Sequence, residues 1–246
     1  MKLISYIICI LLLILILVLY CHISSLKKIN NNVEILQTIN PSIEKIQDLL
    51  QEKSPTVFKN VLYEWEPIIN IFDKSITEIN NMSINDKTFY NDLIDCFNSY
   101  SLCGSMGWDY YFTEKNILDT EEYFTLETQH RHIICQIMGT QRYYLASPNQ
   151  TQFIKKGKWG DNEINNVQLS ATEKKLIKKN PTKSIVNFWN EEETGKEPFN
   201  KVEYMEIILR EGNCLYIPYG WWFLSEVEED SMVLEGFNIS CISLFV

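Results

Sequence analysis

The stretch Ile208-Leu-Arg-Glu-Gly-Asn-Cys-Leu-Tyr-Ile-Pro-Tyr-Gly-Trp-Trp222 decides the fold class. Glu211-Gly212-Asn213 supplies a turn, because Gly and Asn accept the backbone angles of a tight reversal. Leu215-Tyr216-Ile217 is a short apolar run of bulky and β-branched residues, the composition of a buried strand. Pro218 through Gly220 makes a second turn, and Trp221-Trp222 opens the next apolar run. Turn, strand, turn and strand in quick succession predict a β-rich architecture with short connections.

Outward from this segment the same texture continues. Short apolar runs occupy Thr56–Leu62, His132–Met138, Arg142–Ala146, Tyr204–Leu209, Cys214–Ile217 and Met232–Phe245, each bounded by turn residues. A polar stretch between Pro148 and Pro198 interrupts them. It starts basic, with Lys155, Lys156, Lys158, Lys174, Lys175, Lys178, Lys179 and Lys183, and ends acidic at Glu191, Glu192 and Glu193. It reads as an insertion (149–198) holding a short helix near Ala171–Lys179. With Phe153 and Trp159 inside it, the basic part offers either a plain solvated loop or a contact surface for anionic lipid.

The amino-terminal end differs in kind. From Leu3 to Cys21 the chain reads LISYIICILLLILILVLYC, with no charge between Lys2 and Lys27. As a helix this run extends about 28 Å, the thickness of a bilayer's hydrocarbon core. Bulky Leu19-Tyr20-Cys21-His22 is unlike a cleavage site, so an uncleaved single-pass anchor over residues 1–25 is expected. Lysines on both flanks leave its orientation open, as do the Asn81, Asn149 and Asn238 glycosylation sequons. Residues 26–53 are expected to form a stalk of two short helices divided by Pro41, because Ile35, Leu36, Ile39, Ile43, Ile46 and Leu50 recur at roughly helical spacing. A domain over residues 54–246 follows.

Composition narrows the function classes. With 246 residues, 46% of them hydrophobic and 13% aromatic, the chain suits one sizeable core. A net charge of −10 argues against nucleic acid as a general partner. The 7 cysteines form no CxxC pair and read as scattered small hydrophobes.

Three segments together resemble the JmjC/cupin-like domains of Fe(II)/2-oxoglutarate oxygenases. Ser54-Pro-Thr-Val-Phe-Lys-Asn-Val-Leu-Tyr-Glu-Trp65 is similar to the family's entry strand. His132-Ile-Ile-Cys-Gln-Ile-Met-Gly-Thr-Gln-Arg-Tyr-Tyr-Leu-Ala-Ser-Pro148 resembles its strand, Gly turn and returning strand. The opening segment matches its "Gly-Asp, Leu-Tyr-Ile-Pro, Trp-Trp" signature, with Asn213 in place of Asp. The resemblance implies a mainly β fold, a double-stranded β-helix of the cupin/JmjC barrel type with flanking helices, preceded here by the transmembrane helix.

It also implies a site. Family members hold iron with a His-x-Asp/Glu pair and a distal His, a triad that leaves open positions on the metal. By resemblance these fall on Leu126, Thr128 and Phe223, and the Lys that holds 2-oxoglutarate falls on Gln141. None of the four side chains suits its role. The chain has 3 His (His22, His130 and His132), so no histidine follows His132 to act from a distant strand. The expectation is therefore a membrane-anchored, catalytically inactive relative without cofactor. It would serve as a binding or scaffold module for a protein or small-molecule ligand, with a pocket bordered by His132, Trp222 and Asn238 and made apolar by Leu126 and Phe223.

Alternatives remain at this level. His130 and His132 share one side of a strand and could hold a metal, giving an active metal-dependent cupin or an oxygenase with unusual ligands that uses Fe(II) and 2-oxoglutarate. Trp221, Trp222 and the acidic run Glu226–Asp230 could instead mark a lectin-like surface.

Overall fold

A computed structural model of the chain describes residues 2–27, 34–62, 107–115, 117–128, 131–158 and 182–239. In chain order these residues first form α1 (Lys2–Lys27), β1 (Leu36–Ile39), α2 (Ile43–Glu52) and β2 (Thr56–Lys59). Next come β3 (Gly107–Lys115), β4 (Thr125–Leu126), β5 (Arg131–Met138), β6 (Thr140–Ala146), β7 (Lys156–Lys158) and β8 (Thr182–Ser184). The chain ends with α3 (Glu191–Thr194), β9 (Tyr204–Arg210), β10 (Cys214–Pro218), β11 (Trp222–Val227) and β12 (Ser231–Ile239).

The strands make two six-stranded sheets, ordered β1-β2-β10-β5-β12-β3 and β7-β8-β4-β11-β6-β9. Among the described residues only β1 and β2 run parallel, and every other strand pairing is antiparallel. From β3 to β6 and again from β9 to β12 the chain alternates between sheets at every step, in the manner of a cupin-type jelly roll.

Strand alternation places every second side chain between the sheets. Val57, Ile134, Leu215, Ile217 and Val233 come from one sheet, Tyr143, Leu145, Ile207 and Leu209 from the other, and Trp221 closes the set. A second cluster lies on the outer side of the second sheet: Phe124, Tyr144, Ala146, Ile154, Phe199, Trp222 and Leu224. The adjacent residues Trp221 and Trp222 thus point to opposite sides of one strand, and both are fully buried. A lectin-like role for Trp222 does not survive this placement, since a glycan needs an exposed ring to stack upon.

The expected turns are present. Gly212 and Gly220 carry φ of 81° and 86°, where glycine avoids the Cβ clash of the left-handed region. Cys135 and Cys214 are buried free thiols and register partners on β5 and β10.

Two expectations change. The stretch expected as the first stalk helix contains a strand, β1, paired with β2 from Leu36↔Thr56 to Ile39↔Lys59. Pro41 disfavours helix in the residue before it, and Asn40 turns with a φ of 47°. The second element is helical as expected: Ser42 caps α2 by accepting from the Lys45 amide at 3.3 Å, and Ile46, Leu49 and Leu50 are buried. The insertion is not all loop either. Its two ends form β7 and β8, which extend the second sheet beyond β4; Ile154 from within it and Phe199 just after it join the outer cluster. The expected helix near Ala171–Lys179 lies outside the described residues, as do Trp159 and the lysines from Lys174 to Lys179; Lys155 and Lys156 are exposed.

α1 is one helix of 26 residues. Its described side chains run unbroken from Tyr6 to Leu17, all exposed. Among the described residues no helix is long and apolar enough to cross a membrane.

Candidate functional site

The space between the sheets is apolar except for one polar layer centred on His132, the second residue of β5. Its ring shares the inward side of that strand with Ile134 of the inner core. His132 is only 2% exposed. Its Nδ1 lies 2.8 Å from Glu127 Oε2, a carboxylate that is itself buried. A carboxylate on Nδ1 fixes the orientation of the imidazole and favours the tautomer with hydrogen on that nitrogen. Phe237 stacks on the ring at 4.2 Å between centroids, and Phe223 meets it edge-on at 5.5 Å. On the open side Nε2 faces Glu235 Oε2 at 3.9 Å, beyond hydrogen-bond distance.

The layer continues away from His132. Gln141 is buried, its Nε2 donating to Ser231 Oγ at 2.6 Å and its Oε1 accepting from Tyr143 Oη at 2.6 Å. Burial pushes the Tyr143 phenol well above its ordinary range, with Glu235 and Glu121 adding to the rise. For Lys115, burial alone would lower the pKa, but Glu235, Glu121 and Asp119 outweigh it and the ammonium is held above its usual value. The Lys115 ammonium thus stands within electrostatic reach of the carboxylate opposite His132.

Residues 128–242 match the family model of the cupin-like domain. The match runs from the loop before β5 through the end of β12, so it covers the strands that carry His132, Gln141, Phe223 and Glu235. Comparison with curated proteins found no match.

The family resemblance implies iron, and the described residues of the matched region do not fit it. Leu126 does not face His132; it packs against the outer cluster beside its register partner Trp222. Thr128 is exposed. The inward side of this strand carries Glu127 instead, held in the ladder by backbone bonds from its amide to Trp221 O (2.8 Å) and from the Gly220 amide to its own carbonyl (2.9 Å). Phe223 faces inward against the inner core, as a hydrocarbon ring that offers no ligand. Among the described residues no three His, Cys, Asp or Glu side chains converge to hold a metal ion. Gln141 is neutral, with its amide engaged at both ends, so it offers no cation to a carboxylate.

The structure therefore brings together only part of the expected site. His132 and Phe223 meet, whereas Leu126 and Trp222 lie on the other side of the second sheet. Trp222 is fully buried and donates from Nε1 to Thr151 Oγ1 at 2.9 Å, which removes it from any pocket with His132. The pocket expected between Leu126 and Phe223 is thus corrected: an apolar Leu is drawn to the outer cluster, and strand alternation then turns Glu127 inward. Asn238 occupies β12 opposite Trp108, but its side chain lies outside the described residues, as does all of His130. Sequence reasoning missed Glu127 and Glu235 as partners of His132. The signal for the first was the parity of β4, on which Glu127 and Leu126 necessarily point apart.

Glu226–Asp230 holds no open cation site of its own. Arg142 lies among its carboxylates, with Nε donating to Glu228 at 2.9 Å and Nη1 2.9 Å from Glu206, while Tyr144 donates to Glu226 at 2.9 Å.

Proposed function

We propose that this chain is a cupin-like binding module without the iron and 2-oxoglutarate chemistry of the oxygenases it resembles, carried on a membrane by α1. One observation carries the first half. Phe223, at the position expected to supply the distal ligand, packs edge-on against His132 and against the inner core, and its hydrocarbon ring offers no ligand atom. Phe237 closes the opposite side of the same imidazole. What the interior keeps is a fixed polar layer in an apolar surround, a composition suited to recognising a ligand or stabilising a partner surface. Support for the membrane half is the single 26-residue helix, which bears no acidic residue and turns Tyr6 through Leu17 outward.

The test uses the full chain in detergent micelles, purified without oxygen and supplied with Fe(II) and 2-oxoglutarate. The expected result is no succinate release and no rise in melting temperature with the pair of ligands, since binding to the folded state alone would raise it by mass action. Iron-dependent turnover of 2-oxoglutarate overturns the proposal. Release of the full chain from membranes by alkaline carbonate would overturn its anchoring half.

A further inference from the structure

We infer that β9 is the pairing edge of a homodimer, in which two copies of this chain join antiparallel about a twofold axis at Ile208. The inference goes beyond the binding-module reading and does not depend on it. Among the described residues β9 ends the order of the second sheet and pairs with β6 alone. A strand so placed presents a row of backbone donors and acceptors on its outer side, a template for another strand.

Native edges are commonly blunted by proline, lysine, a bulge or short length. β9 uses none of these devices. Tyr204-Met-Glu-Ile-Ile-Leu-Arg210 is 7 residues long and holds neither Pro nor Lys. Its register with β6 runs without a shift from Thr140↔Arg210 to Ala146↔Tyr204. Ile207 and Leu209 are buried in the inner core, which fixes the strand's face. The alternate residues Tyr204, Glu206, Ile208 and Arg210 are all exposed, Tyr204 at 47% and Ile208 at 44%.

The charges choose the occupant. β9 exposes one carboxylate, Glu206, and one guanidinium, Arg210, with Ile208 midway between them. In two antiparallel strands related by a twofold axis, residues equally far from the axis face each other. An axis at Ile208 therefore sets Glu206 of each copy against Arg210 of the other, and Ile208 against its own equivalent. Opposite charges directly across such a pair stabilise it, and like charges oppose it. An axis at Glu206 would set carboxylate against carboxylate, and one at Arg210 would set guanidinium against guanidinium. Arg142 Nη1, 2.9 Å from Glu206 Oε1, holds that carboxylate on the outer side of the sheet. The seam is short, so its strength is moderate, and confining both copies to one bilayer or micelle raises their effective concentration.

The measurement is disulfide trapping of the full chain in detergent micelles, with the parent's native cysteines as background. Ile208→Cys brings two thiols face to face at the axis, at a Cα separation of about 4.5–5.5 Å that a disulfide accepts. The expected result on mild oxidation is a covalent dimer, formed about tenfold faster than in the parent. Tyr204→Cys is the register control, since its two thiols would stand about 27 Å apart along the seam; it should match the parent. Adding Arg210→Glu to the Ile208→Cys chain turns both ion pairs repulsive and should slow trapping about tenfold. Adding Glu206→Arg as well restores opposite charges and should return the rate. All these positions are exposed, so the far-ultraviolet dichroism should stay that of the parent. Equal trapping at 204 and 208, a rate indifferent to Arg210→Glu, or no recovery with Glu206→Arg overturns the inference. No trapping above the parent overturns it too, and leaves the edge to a strand from another protein. None of these results bears on 2-oxoglutarate turnover, which tests the binding-module reading separately.

Discussion

The two buried clusters on either side of the second sheet are built to different rules. The outer one is aromatic and aliphatic, without a charged member, and its polar atoms are satisfied at the rim: Trp222 Nε1 by Thr151, and Tyr144 Oη by Glu226. The inner one gives up part of its volume to Glu127, His132, Gln141, Tyr143, Ser231 and Glu235. Burying charged groups is costly even when they are paired, and an apolar replacement of similar volume commonly stabilises a fold. The outer cluster is therefore the stabilising region, and the inner layer is the place to look for function.

The largest expected effect tests the stabilising side. Trp222→Ala removes a fully buried ring from the outer cluster and should lower unfolding free energy by about 3–5 kcal/mol, read from the urea midpoint. A loss below about 1 kcal/mol would break the contrast, because the outer cluster would then not be the stabilising one.

The next effect probes the charge near the polar layer from the far side of β10. Burial raises the Tyr216 phenol to about 12, Glu127 adds to the rise and Arg131 opposes it. Below pH 10 the phenol is neutral in the folded and unfolded chains alike. Between pH 10 and 12 the unfolded chain ionises first, so stability falls as pH rises. The parent should lose about 2 kcal/mol across that window that Tyr216→Phe retains, measured as urea midpoints at both ends of the range.

A loss of similar size is expected at the hinge of the β5–β6 connection. Gly139 has a φ of +76°, and an added Cβ would stand 2.7 Å from Asp230 O and 2.9 Å from Ser231 Cβ. Gly139→Ala should cost about 2 kcal/mol from backbone strain and overpacking together. It should also move Ser231 away from Gln141, visible as altered exchange of the Gln141 amide protons. The smallest effect belongs to Arg142, whose pKa is raised chiefly by its bond to Glu228. Exposed ion pairs contribute little, so Arg142→Gln should leave the urea midpoint unchanged within error, in low salt and high.

Much of the fold was legible in the sequence because it rests on local chemistry. Gly212 and Gly220 turn where Glu211–Asn213 and Pro218–Gly220 predicted, and the strand between them runs Cys214–Pro218. The strand expected from His132 begins at Arg131 and ends at Met138 as read. Illegible were elements whose cause is tertiary. Lys156-Gly157-Lys158 has no strand character of its own; it pairs with β8, which in turn covers the open edge of β4. Leu36 to Ile39 fits a helical spacing as well as a strand, and pairing with β2 decides the matter. At the site, only the residue types at Leu126, Thr128, Phe223 and Gln141 could be read from the sequence. The His132 pairing could not, because Glu235 lies on β12 and is brought beside β5 by sheet order.

The parallel pairing of β1 with β2 has a mechanical meaning. β1 is the edge of its sheet, and the step from Lys27 at the end of α1 to Leu36 spans nine residues. Fully stretched, that leash reaches about 30 Å. With α1 in a bilayer as proposed, β1 could stand no farther than that from the lipid. Whatever the jelly roll captures would be captured at the membrane surface, and a pull on the domain would be felt first as shear along the β1–β2 seam.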